Sequence, residues 1–130
     1  MIIVDASVIA TALADDNSDG DRVRSRLYNE HLAAPEIIDI EVISVIRKAL
    51  RSGSLDQRRA DFALSDLADL ELDRISHRPL LSRVWELRDN VTPYDAAYVA
   101  LAEMIGATLV TADGRLANST GPRCEIEFLG

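Results

Sequence analysis

The stretch TPYDAAYVALAEMIGATLVTAD, residues 92–113, contains the whole folding unit in one run. Thr92 is a helix-capping residue, Pro93 suits the first helical position, and Gly106 stands where a helix closes after its last turn. Between them lies Ala96–Ala102, an unbroken apolar run of seven residues. Ala107–Thr111 then reads as a short buried strand, with Asp113 just beyond it. A helix that feeds a parallel strand runs antiparallel to it. The first helical turn, carrying Asp95, and the carboxyl end of the strand, carrying Asp113, are therefore expected at the same edge of a sheet.

Working outward, Ile2–Val4 is three consecutive branched apolar residues, too short for a helix and read as a strand with Asp5 at its end. Ser7 is expected to cap a short helix through Ala14, followed by an acidic turn from Asp15 to Asp21 containing Gly20. Arg22–Tyr28 reads as a short helix and Leu32–Ala34 as a second strand stopped by Pro35. A long helix is expected from Glu36 to Ser52, closed by Gly53, with faces traced by Ile37, Ile40, Ile43, Ser44 and Lys48. Ser54-Leu55-Asp56-Gln57 reads as a capping box that opens a helix to Leu70, with Ala60, Ala63, Leu64 and Leu67 inward. Glu71–Ser76 is a weaker strand, and Pro79–Arg88 a helix burying Leu81, Val84 and Trp85. Glu125–Leu129 reads as an edge strand. Short apolar strands alternating with helices give an α/β domain with a mostly parallel sheet, one domain over residues 1–130.

Composition sets the outer bounds. The chain has 130 residues, 48% hydrophobic and 28% charged, which is globular and not disordered or fibrous. A membrane span needs roughly 20 apolar residues, far more than the longest run here. No basic region precedes the first apolar stretch, so no signal peptide is expected and the reading is a cytoplasmic protein. Cys124 is the only cysteine, which excludes an internal disulfide and a thiolate zinc cage. Lys48 is the only lysine; the other 13 basic residues are arginines. The net charge of -8 counts, on its face, against a nucleic-acid partner, because phosphate binding is driven by counterion release from a basic surface.

Four carboxylates fall where the topology brings distant sequence together. Asp5 and Asp113 stand at the carboxyl ends of apolar strands, the edge where open parallel sheets form ligand crevices. Asp95 joins them from its helix, and Glu41 lies early in a helix that leaves the second strand from the same edge. Each has a purely structural reading as well: Asp95 as half of a capping box, Asp5 as the cap of the first helix, Asp113 as a turn residue. Glu41 is the least ordinary, because a carboxylate flanked by Ile40 and Val42 is rarely buried without a partner. Four such groups together raise each other's pKa unless a cation compensates, and hard Mg²⁺ or Mn²⁺ takes oxygen ligands of this kind. The two histidines, His31 and His77, lie away from the acids, which disfavours zinc chemistry. The corresponding reaction is metal-assisted phosphoryl transfer to water. Arg115, two residues from Asp113, is the first candidate for a phosphate contact, with Arg47 and Arg51 behind it.

These motifs resemble a PIN domain, and specifically the VapC toxins of bacterial toxin–antitoxin pairs. The resemblance spans essentially the whole chain. It rests on Ile3-Val4-Asp5-Ala6-Ser7, on Glu41 followed by Arg47, on Thr92-Pro93-Tyr94-Asp95-Ala96-Ala97-Tyr98, and on Thr111-Ala112-Asp113-Gly114-Arg115-Leu116. It implies a three-layer fold with a sheet of four to five short strands flanked by helices. It further implies a Mg²⁺- or Mn²⁺-dependent endoribonuclease acting on RNA such as tRNA or rRNA. Asp5, Glu41, Asp95 and Asp113 match the family's acidic quartet as metal ligands or orienters of water, and Ser7 and Thr111 match its supporting hydroxyls. Family members are similar in forming homodimers and in being neutralised by a cognate VapB antitoxin.

Other classes with acids at strand ends fit less well. A phosphate-receiving signalling domain needs a lysine after its fifth strand, and the only lysine is Lys48, within a helix. A haloacid-dehalogenase-type phosphatase needs Asp-x-Asp after strand one, where this chain has Ser7. The alternatives retained are a non-catalytic PIN-like binding module and a DNA-directed PIN or flap-type nuclease. An intact quartet argues against the first, and 130 residues leave little room for the second.

Overall fold

A computed structural model describes all 130 residues. Five short strands form one sheet: β1 (Ile2–Val4), β2 (Leu32–Pro35), β3 (Asp73–Ile75), β4 (Thr108–Thr111) and β5 (Ile126–Phe128), in the order β3-β2-β1-β4-β5. Every neighbouring pair is parallel. The three inner strands are almost wholly buried and read as near-continuous apolar runs, as a parallel sheet covered on both faces requires. The helices are α1 (Ala6–Ala14), α2 (Ser18–Leu27), α3 (Ile38–Ser52), α4 (Gln57–Asp69), α5 (Leu81–Glu86), α6 (Pro93–Ile105) and α7 (Gly114–Ala117). Helices α1 to α4 pack on one another, while α6 lies against β1, β2 and β4 and carries α5.

The strand order fixes where a crevice opens. From β1 the chain builds outward through β2 to β3, then crosses to the other side of β1 for β4 and β5. The reversal lies between β1 and β4, and open α/β sheets bind ligands outside the carboxyl ends of the strands at that switch point. Asp5 follows β1 directly and Asp113 stands two residues beyond β4.

Helix α6 matches the expected span and caps: Thr92 accepts from the Asp95 N–H, and Gly106 takes the left-handed conformation at φ 75°. All of Ala96–Ala102 is buried, so this helix is enclosed on every side, and its alanines let it approach the sheet closely. Truncating its centre is therefore costly. Leu101→Ala is expected to lower unfolding free energy by about 2–5 kcal/mol, read from the midpoint of chemical denaturation. A loss under about 1 kcal/mol would place Leu101 outside the core.

Elsewhere the structure corrects several local expectations. Asp5, not Ser7, caps α1, with Oδ1 accepting from the Val8 N–H. Likewise Asp56 caps α4 through the Arg59 N–H, and the Ser54 hydroxyl instead bonds the Ala49 carbonyl. The left-handed turn at Gly53 directs the Ser54 and Leu55 N–H groups to that same carbonyl, so Ser54 belongs to the end of α3. Helix α2 begins at Ser18, inside the expected turn. Gly20 is required there because a Cβ would lie 1.9 Å from the Asp15 carbonyl oxygen.

Two faces also rotate. On α3 the buried residues are Ile38, Val42 and Ile46, leaving Ile40 and Ile43 exposed. Around α5, Leu80, Val84 and Leu87 point inward, whereas Leu81 and Trp85 are 57% and 67% exposed. A 3-10 turn at Arg78–Leu80 sets the phase of that short helix and turns the expected core residues to the surface. Leu64 of α4 is exposed as well, its inward face being Ala60, Ala63 and Leu67.

Several arginines act as staples within the fold. Arg26 grips Glu127 on β5 with two nitrogens, Arg74 holds Asp39 and three backbone carbonyls, and Arg83 forks onto Glu103. Arg59 binds Asp16 in the same two-pronged manner. A large part of the arginine excess is thus consumed by structural pairing.

Candidate active site

Asp5 and Thr111 are the only buried polar or charged residues, and they bond to each other. Asp5 is 5% exposed, and its Oδ2 accepts from the Thr111 hydroxyl while Oδ1 accepts from the Ser7 hydroxyl at 2.6 Å and from the Val8 N–H. Both hydroxyls are themselves held. Ser7 Oγ accepts from the Ala112 N–H and Thr111 Oγ1 from the Asp113 N–H, each at 3.0 Å. The network fastens the end of β1 to the end of β4 and locks the Asp5 carboxylate in one orientation. The two hydroxyl positions read from sequence are therefore neighbours of Asp5, joined to it directly.

Around this hub, one cleft of about 500 Å³ is lined by Asp5, Glu41, Asp95 and Asp113 together with Ser7, Tyr98 and Lys48. Glu41 lies in the first turn of α3, and its Oε1 accepts from the Tyr98 hydroxyl at 2.6 Å. Asp95 lies in the first turn of α6, half-buried. Asp113 caps α7 by accepting from the Arg115 N–H, and the exposed Arg115 guanidinium stands 3.6 Å from its other oxygen. The structural readings of Asp5 and Asp113 as caps and their places in the cleft are thus compatible.

The carboxylates feel one another. Burial raises the pKa of Asp5, opposed by its hydrogen bonds from Ser7, Thr111 and Val8, with the charge of Asp95 adding to the rise. Burial also raises Glu41; the Tyr98 hydrogen bond opposes this, and the charges of Asp95 and Asp5 reinforce it. Asp95 is raised by burial and by Asp113, and lowered by Arg115. Tyr98 is pushed well above its ordinary value by burial and by donating to Glu41, so it stays a hydroxyl donor.

This is a donor set for a hard cation. Apart from the Lys48 ammonium, every chemically active side-chain group is a carboxylate or hydroxyl oxygen, with no sulfur or imidazole in the cleft. No three acidic, histidine or cysteine side chains converge closely enough to form a ready-made cage. Mg²⁺ does not need one, since it keeps several waters and binds through one or two carboxylates, so the residues present fit it.

The cationic candidates separate. Of Arg47, Lys48 and Arg51, the three basic residues of α3 that could grip a phosphate, only Lys48 lines the cleft. The signal lay in the helical period. Lys48 is seven residues after Glu41, two turns along the same face, while Arg47 is rotated by about a third of a turn. A larger groove, about 660 Å³ between α1, α3 and α4, meets the cleft at Ser7. Its acids, Asp15, Asp16 and Asp56, stand at caps and turns, and Asp16 is tied to Arg59.

Residues 2–120 match the PIN domain family. The chain is 38% identical to Ribonuclease VapC1 of Mycobacterium tuberculosis over 128 residues, 98% of this chain and 96% of that protein. It is 38% identical to Ribonuclease VapC12 of the same organism over 129 residues, covering 99% of each chain. In fold it is similar to a crystal structure of VapBC2 from Rickettsia felis bound to a DNA fragment from their promoter, with a TM-score of 0.65 at 20% identity, covering 98% of both chains. The chain belongs to the PIN-domain family, among its VapC proteins.

Proposed function

We propose that this chain is a single-domain, cytoplasmic endoribonuclease dependent on Mg²⁺, with Mn²⁺ as substitute, and the toxin of a toxin–antitoxin pair. In this reading it forms a homodimer and is neutralised by a cognate VapB-type antitoxin. The observation that carries the proposal is the convergence of four carboxylates on one cleft at the β1/β4 switch point. The near full-length likeness to proteins named ribonucleases supplies the substrate class.

In this mechanism Asp5, Asp95, Glu41 and Asp113 hold the ion or the waters around it. When bound, the ion supplies Lewis acidity toward a phosphate oxygen and lowers the pKa of water. Asp5 arrives pre-oriented, because three donors occupy its oxygens and no rotamer search remains. Glu41 has Oε1 engaged by Tyr98, which leaves Oε2 to accept a proton from the attacking water. Its raised proton affinity suits that role. Lys48 and Arg115 flank the acids and offset the repulsion that a phosphodiester meets on an otherwise acidic surface.

Purified protein is expected to cut single-stranded RNA internally in the presence of Mg²⁺ or Mn²⁺, including a covalently closed RNA circle that offers no end. RNA left intact under both ions, or circles left intact while linear RNA is shortened, would overturn the endoribonuclease assignment.

A further inference from the structure

Beside the acidic cleft lies a second pocket of about 330 Å³, at the lower end of the size range of small-ligand sites. It is built from the α5–α6 connection and α7, and shares the Asp95 wall with the acidic cleft. Seven of its ten lining residues carry polar side chains, Arg88, Arg115, Asn90 and Ser119 among them, beside the apolar Val91, Pro93 and Leu116. Two acids also border it: Asp95, which lines the neighbouring cleft as well, and Asp89, adjacent in sequence to Arg88.

Arg88 differs from the stapling arginines. It has no carboxylate within ion-pair distance; its Nη1 donates only to the Trp85 carbonyl at 3.0 Å, and its guanidinium lies 4.6 Å from the centre of the exposed Trp85 ring. Stacking holds the guanidinium plane in place and leaves its other donors free. Arg115, which also lines the pocket, is 82% exposed and only loosely paired with Asp113 at 3.6 Å. Two forked donors lining one pocket, one unpaired and one weakly paired, suit a group with several oxygens and negative charge.

We propose that this pocket is a phosphate subsite, in which Arg88 and Arg115 hold the RNA backbone at a linkage flanking the one cleaved in the adjacent acidic cleft. The inference rests on the ribonuclease reading and deepens it, because the shared Asp95 wall sets the two sites side by side along one strand. It also bears on the acidic net charge. Affinity for RNA is then concentrated at a few built positions and does not require a broadly basic surface.

The test uses a short single-stranded RNA that the wild-type protein cuts at one linkage, prepared with one uncharged methylphosphonate in turn at each other linkage. Arg88→Gln is expected to raise KM on unmodified RNA about tenfold, the loss of one charge-assisted hydrogen bond, with the larger part of the effect in KM and not in kcat. Arg88→Lys, which keeps the charge and loses the fork, falls between the two. One methylphosphonate position should cost the wild-type protein a similar factor and cost Arg88→Gln nothing further. Losses that multiply at every position would overturn the subsite, as would an Arg88→Gln protein of unchanged melting temperature with wild-type KM. A wild-type protein that cuts no RNA would overturn the ribonuclease reading itself, a result distinguishable from failure of the subsite alone.

Discussion

Asp5→Asn protein is expected to fold and to cleave RNA about a thousandfold more slowly than wild type, the scale of about 4 kcal/mol of lost charge stabilisation. The substitution conserves volume, and asparagine caps helices as well as aspartate does, so the Val8 N–H keeps an acceptor. The Ser7 bond can also persist through the amide oxygen. What changes is the loss of the anionic charge and the bond from Thr111, whose hydroxyl then faces an amide nitrogen. Burial already disfavours ionised Asp5, so metal-free Asp5→Asn protein at neutral pH is expected to melt no lower than wild type by more than a few degrees. Circular dichroism and single-turnover cleavage read the two quantities separately. A folded variant that cleaves within about tenfold of wild type would remove Asp5 from the chemistry.

Chelation is expected to have the second large effect: EDTA should abolish cleavage, and restoring Mg²⁺ should both recover it and raise the melting temperature. The pH dependence of that thermal shift follows from the carboxylates. Asp5, Glu41 and Asp95 all have pKa values raised by folding from ordinary values of 3.8, 4.5 and 3.8. The folded state therefore binds protons more tightly than the unfolded one at these three groups. Their contribution to metal-free stability falls as pH rises from about 4 through the raised values. A cation competes with those protons and relieves the same repulsion. The Mg²⁺-induced shift should therefore be smallest where the three carboxyls hold their protons and grow as pH rises through their raised values, following the binding relation RT ln(1 + [L]/Kd). Taking the difference between Mg²⁺ and EDTA at each pH removes groups of opposite sign, such as Asp16, Glu103 and Glu127, whose values are lowered by Arg59, Arg83 and Arg26. A shift independent of pH, or equal in Asp95→Asn protein, would separate the acidic cleft from metal binding.

The -8 charge, met first as an argument against a nucleic-acid partner, has a physical location. Four of the carboxylates line the cleft, and four others, Asp16, Asp39, Glu103 and Glu127, are paired with stapling arginines. In the proposed reading the surface that remains for RNA is local, centred on Lys48, Arg115 and Arg88.

Much of this arrangement was legible along the chain. A three-residue branched strand ending in Asp5, and a capped apolar helix feeding a strand that ends near Asp113, are local patterns. Local patterns suffice where φ/ψ preference and burial period act over a few residues. Parallel strands joined by helices then leave one edge for Asp5, Asp95 and Asp113 to share. What could not be read locally was rotation and partnership. Each helical step turns a side chain by about 100°, so a one-residue error in phase exchanges core for surface, as it did for Trp85 and Leu81. The same geometry put Lys48, and not Arg47, beside Glu41. The hydroxyl bonds from Thr111 to Asp5 and from Tyr98 to Glu41 join residues 106 and 57 positions apart. Such contacts exist only after β1 and β4 pair and α6 packs against them. Sequence periodicity placed the acids at one edge; long-range packing oriented them, raised their proton affinities and set Arg88 beside them.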